Sequence, residues 1–376
     1  MSADVVVVGA GVIGASVAWH LAARGARVTV IDRAPAAGEG STGRATGGFR
    51  AQYGSEVQVR LSLLSRAKLG RFADEVGGDC GYRPCGYLWL AETEAELAGL
   101  RSAQAVQHAA GLSEARMVGP DGIAQLNPYI RARAVGAAFC PTDGFIRPLG
   151  ILRGYLDGAQ RLGAKVRYGA RVTALHEGAV ETTERTFAAG AVVNAAGAWA
   201  AEVARLAGVD LPVQPLRRQV AATVPCALLP EEMPMTLWAG DGFHLRVRDG
   251  RVLLLQPLDE PAGFATGVDD AWLARIDALK RERVPALAAI EIDRAASWAG
   301  LYEMSPDGHA IVGEAPGRPG FFLANGSSGH GVMHAPALGQ LVSEFVLDGR
   351  ASCLDASALR PSRFAEGRAN AAPVLL

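Results

Sequence analysis

Cysteine is scarce in this chain. The five in 376 residues (Cys80, Cys85, Cys140, Cys226 and Cys353) are scattered, odd in number and form no C-x-x-C pair. That excludes a disulfide framework and a zinc knuckle, and it points to reduced thiols and a cytoplasmic setting. An excess of one charge is also lacking: 37 basic residues face 38 acidic ones, net −1, with no basic run or stripe. Nucleic acid is therefore not an expected partner. No internal repeat or low-complexity tract occurs. From Val5 to Ala23 only Ser16 and His20 are polar, which resembles a signal peptide or membrane span, but no Lys or Arg precedes the run and glycines interrupt it. No transmembrane segment is expected. With 49% hydrophobic and 20% charged residues, the composition is that of a globular protein with a large core.

The strongest pattern present lies in residues 4–32, DVVVVGAGVIGASVAWHLAARGARVTVID. Four consecutive valines, Val5–Val8, read as a strand buried on both faces, as a parallel sheet requires. Gly9, Gly11 and Gly14 lead into an apolar helix that runs to about Arg24, and a second strand, Arg27–Ile31, ends on Asp32. Each part suits the holding of a dinucleotide. Gly9 allows the tight turn, Gly11 lets the backbone approach a pyrophosphate, and Gly14 lets helix and strand pack closely. Asp32 can bond a ribose 2′-OH and would repel a 2′-phosphate. The phosphates would sit at the helix N-terminus, where free N–H groups and the dipole favour negative charge.

Further along, residues 38–48 (GEGSTGRATGG) read as a polar, flexible loop without regular structure. Helices are expected over 57–76, 92–110, 147–162 and 336–347, and strands over 82–90, 165–168, 172–176 and 191–194. Phe243, Leu245 and Val247 alternate with polar residues before Asp249-Gly250, and 251–256 is apolar, which predicts an antiparallel hairpin with a primed turn. Residues after Arg360 read as a tail. Nucleotide-binding elements thus recur at both ends and in the middle, with antiparallel segments inserted. The expected fold is α/β (α+β), a Rossmann-like dinucleotide-binding domain (1–78, 146–212 and 298–376) interleaved with an antiparallel-sheet substrate domain (79–145 and 213–297).

Read together with the N-terminal fingerprint, the 40–53 loop, VVNAAGAWA and GSSGHGVMHAPALG make the chain resemble the D-amino-acid oxidase superfamily. It looks most like the branch of sarcosine oxidases, glycine oxidases and proline dehydrogenase β subunits. The resemblance runs from Asp4 to about Gly349. It implies FAD, two domains, and oxidation of a C–N bond next to a carboxylate. By the same resemblance Arg33 and the loop residues Ser41, Thr42, Arg44, Gly47 and Gly48 bind the cofactor. Val172 lies against adenine, and Ala196, Gly197 and Trp199 lie near the phosphates. Gly300 and the segment Gly329, His330, Gly331, Val332 and Met333 adjoin the flavin. Backbone N–H groups in 329–332 can stabilise negative charge on a reduced ring.

Arg50, in the R-x-x-Y-G pattern completed by Tyr53 and Gly54, is the expected carboxylate anchor, since a guanidinium grips a carboxylate bidentately. Tyr302 matches a tyrosine that bonds the same carboxylate, and His330 stands beside the flavin. Phe49, Tyr53, His244, Met333 and Trp238 are the expected pocket walls. His330 and His334 have metal-like spacing, but no third ligand is evident and no metal is expected. Three departures from the sarcosine oxidase pattern matter. Gly300 replaces the cysteine that bonds FAD covalently, so a non-covalent cofactor is expected. Met333 replaces a carboxylate-binding lysine. No lysine occurs between Lys165 and Lys280, and the oxygen-activating lysine is expected to fall near Ala265–Thr266. The sequence therefore predicts a dehydrogenase that oxidises a small amino acid, with proline or sarcosine favoured, by hydride transfer to flavin N5. An oxygen-reducing oxidase, a flavin-carrying subunit of a heteromeric complex and an NAD-dependent dehydrogenase stand as alternatives. The electron acceptor, and whether the chain needs a partner subunit or forms a homo-oligomer, stay open.

Overall fold

In the computed structural model, residues 4–371 are described, so the outermost residues of the expected division, 1–3 and 372–376, lie outside the described residues. Val5, Val6 and Val7 are at most 1% exposed. They sit in the middle of a six-stranded sheet whose order is Ile311–Glu314, Phe321–Asn325, Ala191–Asn194, Asp4–Val8, Arg27–Ile31, Lys165–Arg167. All neighbours are parallel except the first pair. Both faces are covered, which is why unbroken valine rather than alternation is stable here. The helices Val12–Ala23, Pro148–Arg161 and Gly331–Asp348 cover one face. The helix Ala200–Leu206 and a small three-stranded antiparallel sheet within 172–188 cover the other. Strand order reverses about Asp4–Val8, so the crevice at its carboxyl end is the expected ligand position for such a sheet.

The second sheet has eight strands in the order Trp298–Met304, Gln214–Ala222, Arg251–Leu255, His244–Arg248, Met235–Trp238, Tyr87–Ala91, Gly136–Cys140, Arg116–Val118. It is antiparallel but for Met235–Trp238 beside Tyr87–Ala91. Period-two alternation sorts its faces. Leu88, Leu90, Trp238 and Leu245 enter a core with Trp272 of the helix Asp270–Arg283, while Tyr87, Trp89, Met235 and Leu237 point the other way. The predicted hairpin forms, with Asp249 (φ 53°) and Gly250 (φ 71°) both left-handed as a type I′ turn requires.

Several expectations are corrected. The helix expected from Pro336 begins at Gly331, so Pro336 lies inside it and cannot donate to the carbonyl four residues back. The 38–48 loop contains a helical turn, Ser41–Arg44. The 57–76 helix is two pieces, Glu56–Gly70 and Phe72–Glu75, broken at Arg71. Trp298–Met304 forms the edge of the eight-stranded sheet, pairing along Gln214–Ala222, and also borders the crevice of the first. The tail after Arg360 is docked: Arg363 is fully buried and pairs with Asp307 at 2.8 Å.

Candidate active site

A cavity of about 1310 Å³ extends from the carboxyl ends of the Asp4–Val8 and Arg27–Ile31 strands to the inner face of the second sheet. Two helix N-termini open into it. At the first, Gly11 is the cap residue and offers no side-chain cap; at the second, His330 stands in the same position, also without one. Apart from the Val12 N–H, the first-turn N–H groups and both helix dipoles thus favour negative charge at two separate points of one cavity. Gly9 holds φ 111°, and a Cβ there would lie 2.3 Å from the Ala195 carbonyl oxygen. Gly14 is not in the lining; a Cβ there would lie 2.0 Å from the Gly9 oxygen, so its part is the close packing of helix on turn. Asp32 lines the cavity and accepts the Ala10 N–H at 2.7 Å through Oδ2 and the Ala34 N–H at 2.8 Å through Oδ1. Each oxygen keeps a lone pair for a hydroxyl.

The remaining cofactor candidates fall in place around this crevice. Arg33, Ser41, Thr42, Arg44, Gly47 and Gly48 line it, as do Val172, Ala196, Gly197 and Trp199, and on the far side Gly300, Gly329, His330, Gly331, Val332 and Met333. The Ser41–Arg44 turn is stitched on both sides. Thr42 Oγ1 accepts the Val12 N–H at 3.1 Å, and Ser41 Oγ donates to the Leu301 carbonyl at 2.6 Å. Arg33 stacks on Trp199 at 3.7 Å, and Phe264 stacks on Trp199 with ring centroids 5.5 Å apart. Two open helix ends, a glycine cradle and an acid at the second strand's end fit a flavin dinucleotide.

At the other end of the cavity stands Arg50, 6% exposed. One of its terminal nitrogens lies 3.0 Å from His330 Nε2. Arginine only donates, so Nε2 accepts and the imidazole proton in this contact resides on Nδ1. The guanidinium carbon lies 4.6 Å from the Tyr53 ring centroid and 5.1 Å from that of Trp89. Arg50 Nε meets no acceptor, and Arg50 enters no ion pair among the described residues. Tyr302 lies against Gly329, where φ is 90° and a Cβ would come within 2.2 Å of the ring. Burial pushes the His244 imidazole down to about 4, so it is neutral; its Nδ1 donates to the Gly242 carbonyl at 2.8 Å, leaving Nε2 as an acceptor. Burial pushes the Glu303 carboxyl, also on the cavity wall, up to about 7. Asp143, behind Arg50, is likewise raised by burial to about 7.

Some expected walls are displaced. Phe49 and Tyr53 have no exposure and lie outside the lining. Phe49 packs edge-on to Tyr82, and Tyr53 sits behind, its hydroxyl donating to Met333 Sδ at 3.1 Å. Trp238 points into the opposite core against Phe243. In their place Tyr87, Trp89, Met235, Leu237 and Leu255 form the wall, and Arg218 lies 5.6 Å from the Tyr302 ring centroid. Alternation in 82–90 puts Tyr87 and Trp89 on one face but does not say which face meets a ligand. Ala265 and Thr266 are exposed and outside the lining, and no lysine lines the cavity. His334 does not join His330 on a ligand; its Nε2 is 2.9 Å from Ser62 Oγ. Two further residues escaped the sequence. Arg246 donates to the Thr46 and Gly47 carbonyls, at 2.7 and 2.9 Å, and Arg248 to those of Ala45 and Thr46, so the hairpin grips the cofactor-side loop.

Comparison with known proteins agrees with this geometry. Glycine oxidase of Geobacillus kaustophilus is 29% identical over 358 residues, covering 91% of this chain and 92% of that protein. Mouse (Mus musculus) mitochondrial dimethylglycine dehydrogenase is 29% identical across 96% of this chain, which spans only 44% of that longer protein. The crystal structure of L-proline dehydrogenase from P. horikoshii superposes with a TM-score of 0.91 at 26% identity, over 98% of this chain and 99% of that one. No helix among the described residues is long and apolar enough to cross a membrane. Residues 4–345 match the family described as DAO, FAD dependent oxidoreductase, so the dinucleotide cradle is an FAD cradle and the chain belongs to that family of FAD-dependent oxidoreductases.

Proposed function

We propose that this enzyme oxidises the C–N bond of a small amino acid, a secondary amine such as proline or sarcosine being favoured, and that it acts as a dehydrogenase. Arg50 carries the reading. Among the described residues no carboxylate lies within ion-pair distance of this buried guanidinium, and one arriving from solvent would form a bidentate pair with it. His330 holds the guanidinium from one side, and in this reading Tyr302, on the wall of the same cavity, bonds the same carboxylate. Neutral His244 adds no second charge and offers an acceptor for a substrate N–H. Tyr87, Trp89, Leu237 and Leu255 exclude water and suit an apolar body. FAD, when bound, supplies the hydride acceptor. The missing lysine removes a cation that would stabilise reducing oxygen, which supports an acceptor other than O₂. In this reading 1–78, 146–212 and 298–376 serve the cofactor, and 79–145 and 213–297 the substrate.

The test is an anaerobic absorbance scan of the FAD-loaded protein with D-, L- and N-methyl amino acids. Bleaching by a secondary amino acid, with slow recolouring in air, is the expected result. Rapid recolouring with stoichiometric peroxide would make it an oxidase, and bleaching by none would refute the substrate class. Replacing Arg50 with Ala is expected to raise KM for the bleaching substrate about 100-fold with FAD content unchanged.

A further inference from the structure

A fully buried carboxyl stands directly behind the anchor. The short strands Gly48–Phe49 and Gly144–Phe145 pair antiparallel, Gly48 opposite Phe145 and Phe49 opposite Gly144. The next ladder position would set Arg50 opposite Asp143, but the Asp143 carbonyl is taken by the Gly86 N–H at 2.7 Å. The ladder therefore stops, and the side chain takes over. Asp143 Oδ1 accepts the Ala51 N–H at 2.7 Å, and Oδ2 accepts the Gln52 N–H at 3.3 Å. Gln52 Nε2 then donates to the Tyr87 carbonyl at 3.1 Å, tying the same turn to the aromatic wall. Arg50 is thus held at its guanidinium by His330 and, through the two residues that follow it, at its backbone by one carboxyl.

We propose that Asp143 is a positioning residue that sets where the Arg50 guanidinium meets an incoming carboxylate; this rests on the reading of Arg50 as the anchor. Above about pH 7, where Asp143 is ionised, two converging N–H donors meet two acceptor oxygens. An amide would turn an NH₂ toward one of them, leaving a buried donor unpaired and the turn free to shift. A displacement of the anchor by a fraction of an ångström weakens a bidentate contact while leaving the distant FAD cradle untouched.

The experiment titrates FAD-loaded protein with benzoate, a carboxylate without an amine, following the flavin spectrum, with benzamide as the neutral control and FAD affinity measured separately by calorimetry. Asp143→Asn is expected to weaken benzoate about 10-fold, with benzamide and FAD affinities within about 2-fold of the parent. Unchanged benzoate affinity in Asp143→Asn, alongside its loss in Arg50→Ala, would overturn the positioning role and leave the anchor standing. Full benzoate affinity in Arg50→Ala would remove the anchor and this proposal with it. Should Asp143→Asn fail to take up FAD, Asp143→Glu, which keeps both oxygens on a longer stem, carries the same test. Failure of both to take up FAD also overturns the proposal, because the residue would then be supporting the fold.

Discussion

Glu303 shows what a single buried side chain does to the pH response of the molecule. Its carboxyl accepts the Ser327 N–H at 3.2 Å through Oε1, and burial raises it to about 7, against roughly 4.3 in an unfolded chain. Between those values the folded protein holds a proton that the unfolded one has released. Stability therefore falls as pH rises, by up to about 1.4 kcal/mol per unit, and falls no further above about 7. Asp143 slopes the same way, whereas His20, His244 and His334, pushed down by burial, contribute stability that is lost as pH falls below about 6.5. Glu303→Gln is expected to lose about 1–3 kcal/mol less than the parent between pH 5 and 7, measured by urea unfolding at both values. Single-residue chemistry was only partly legible. Arg50 stands out by its motif, but its burial with no carboxylate in ion-pair contact among the described residues is a tertiary fact. So is the burial of Glu303, which follows an exposed-looking tyrosine in the sequence.

Among the elements, the C-terminal segment departs most from its sequence. Nothing in SRFAEGRAN repeats or alternates, so residues after Arg360 read as a tail, yet Arg363 is the plug of a buried network. It donates to both Asp307 oxygens and to the Leu359 and His309 carbonyls, while Asn370 donates to the same carboxylate. Burial alone would raise the Asp307 carboxyl, but the bonds from Arg363 and Asn370 overcome it and hold it well below the usual carboxylate range. The pair thus contributes stability above about pH 4 that is lost in stronger acid. Arg363→Met would leave that carboxylate buried and unpaired. It is expected to cost about 3–5 kcal/mol at pH 7 by urea denaturation, and to shrink this acid-side loss. Elements with local signals fared better. The four valines and the Asp249-Gly250 turn appear where read, because their patterns depend on neighbours in the chain.

Across the whole molecule, the dinucleotide half was readable because Gly9, Gly11, Gly14 and Asp32 lie within one short run. The order of the second sheet was not. It sets Tyr87–Ala91 beside Met235–Trp238, and Gln214–Ala222 beside Trp298–Met304, pairings that no local pattern announces. The two sheets meet around one cavity and hold each other there, through the hairpin arginines on 45–47 and through Phe264. Phe264 is carried on a loop whose Glu260 pairs with Arg217 at 2.6 Å and accepts from Gln219, so the loop is anchored on the second sheet while its tip covers Trp199, on the turn after the Ala191–Asn194 strand. Phe264→Ala is expected to speed FAD release about 10-fold, read as recovery of flavin fluorescence after dilution, with the Phe264→Trp variant close to the parent. That outcome would make the residence time of the cofactor depend on this loop as well as on the phosphate cradle. One aromatic contact on the rim of the cavity, rather than any bond within the cradle, would then decide how long the protein keeps its colour.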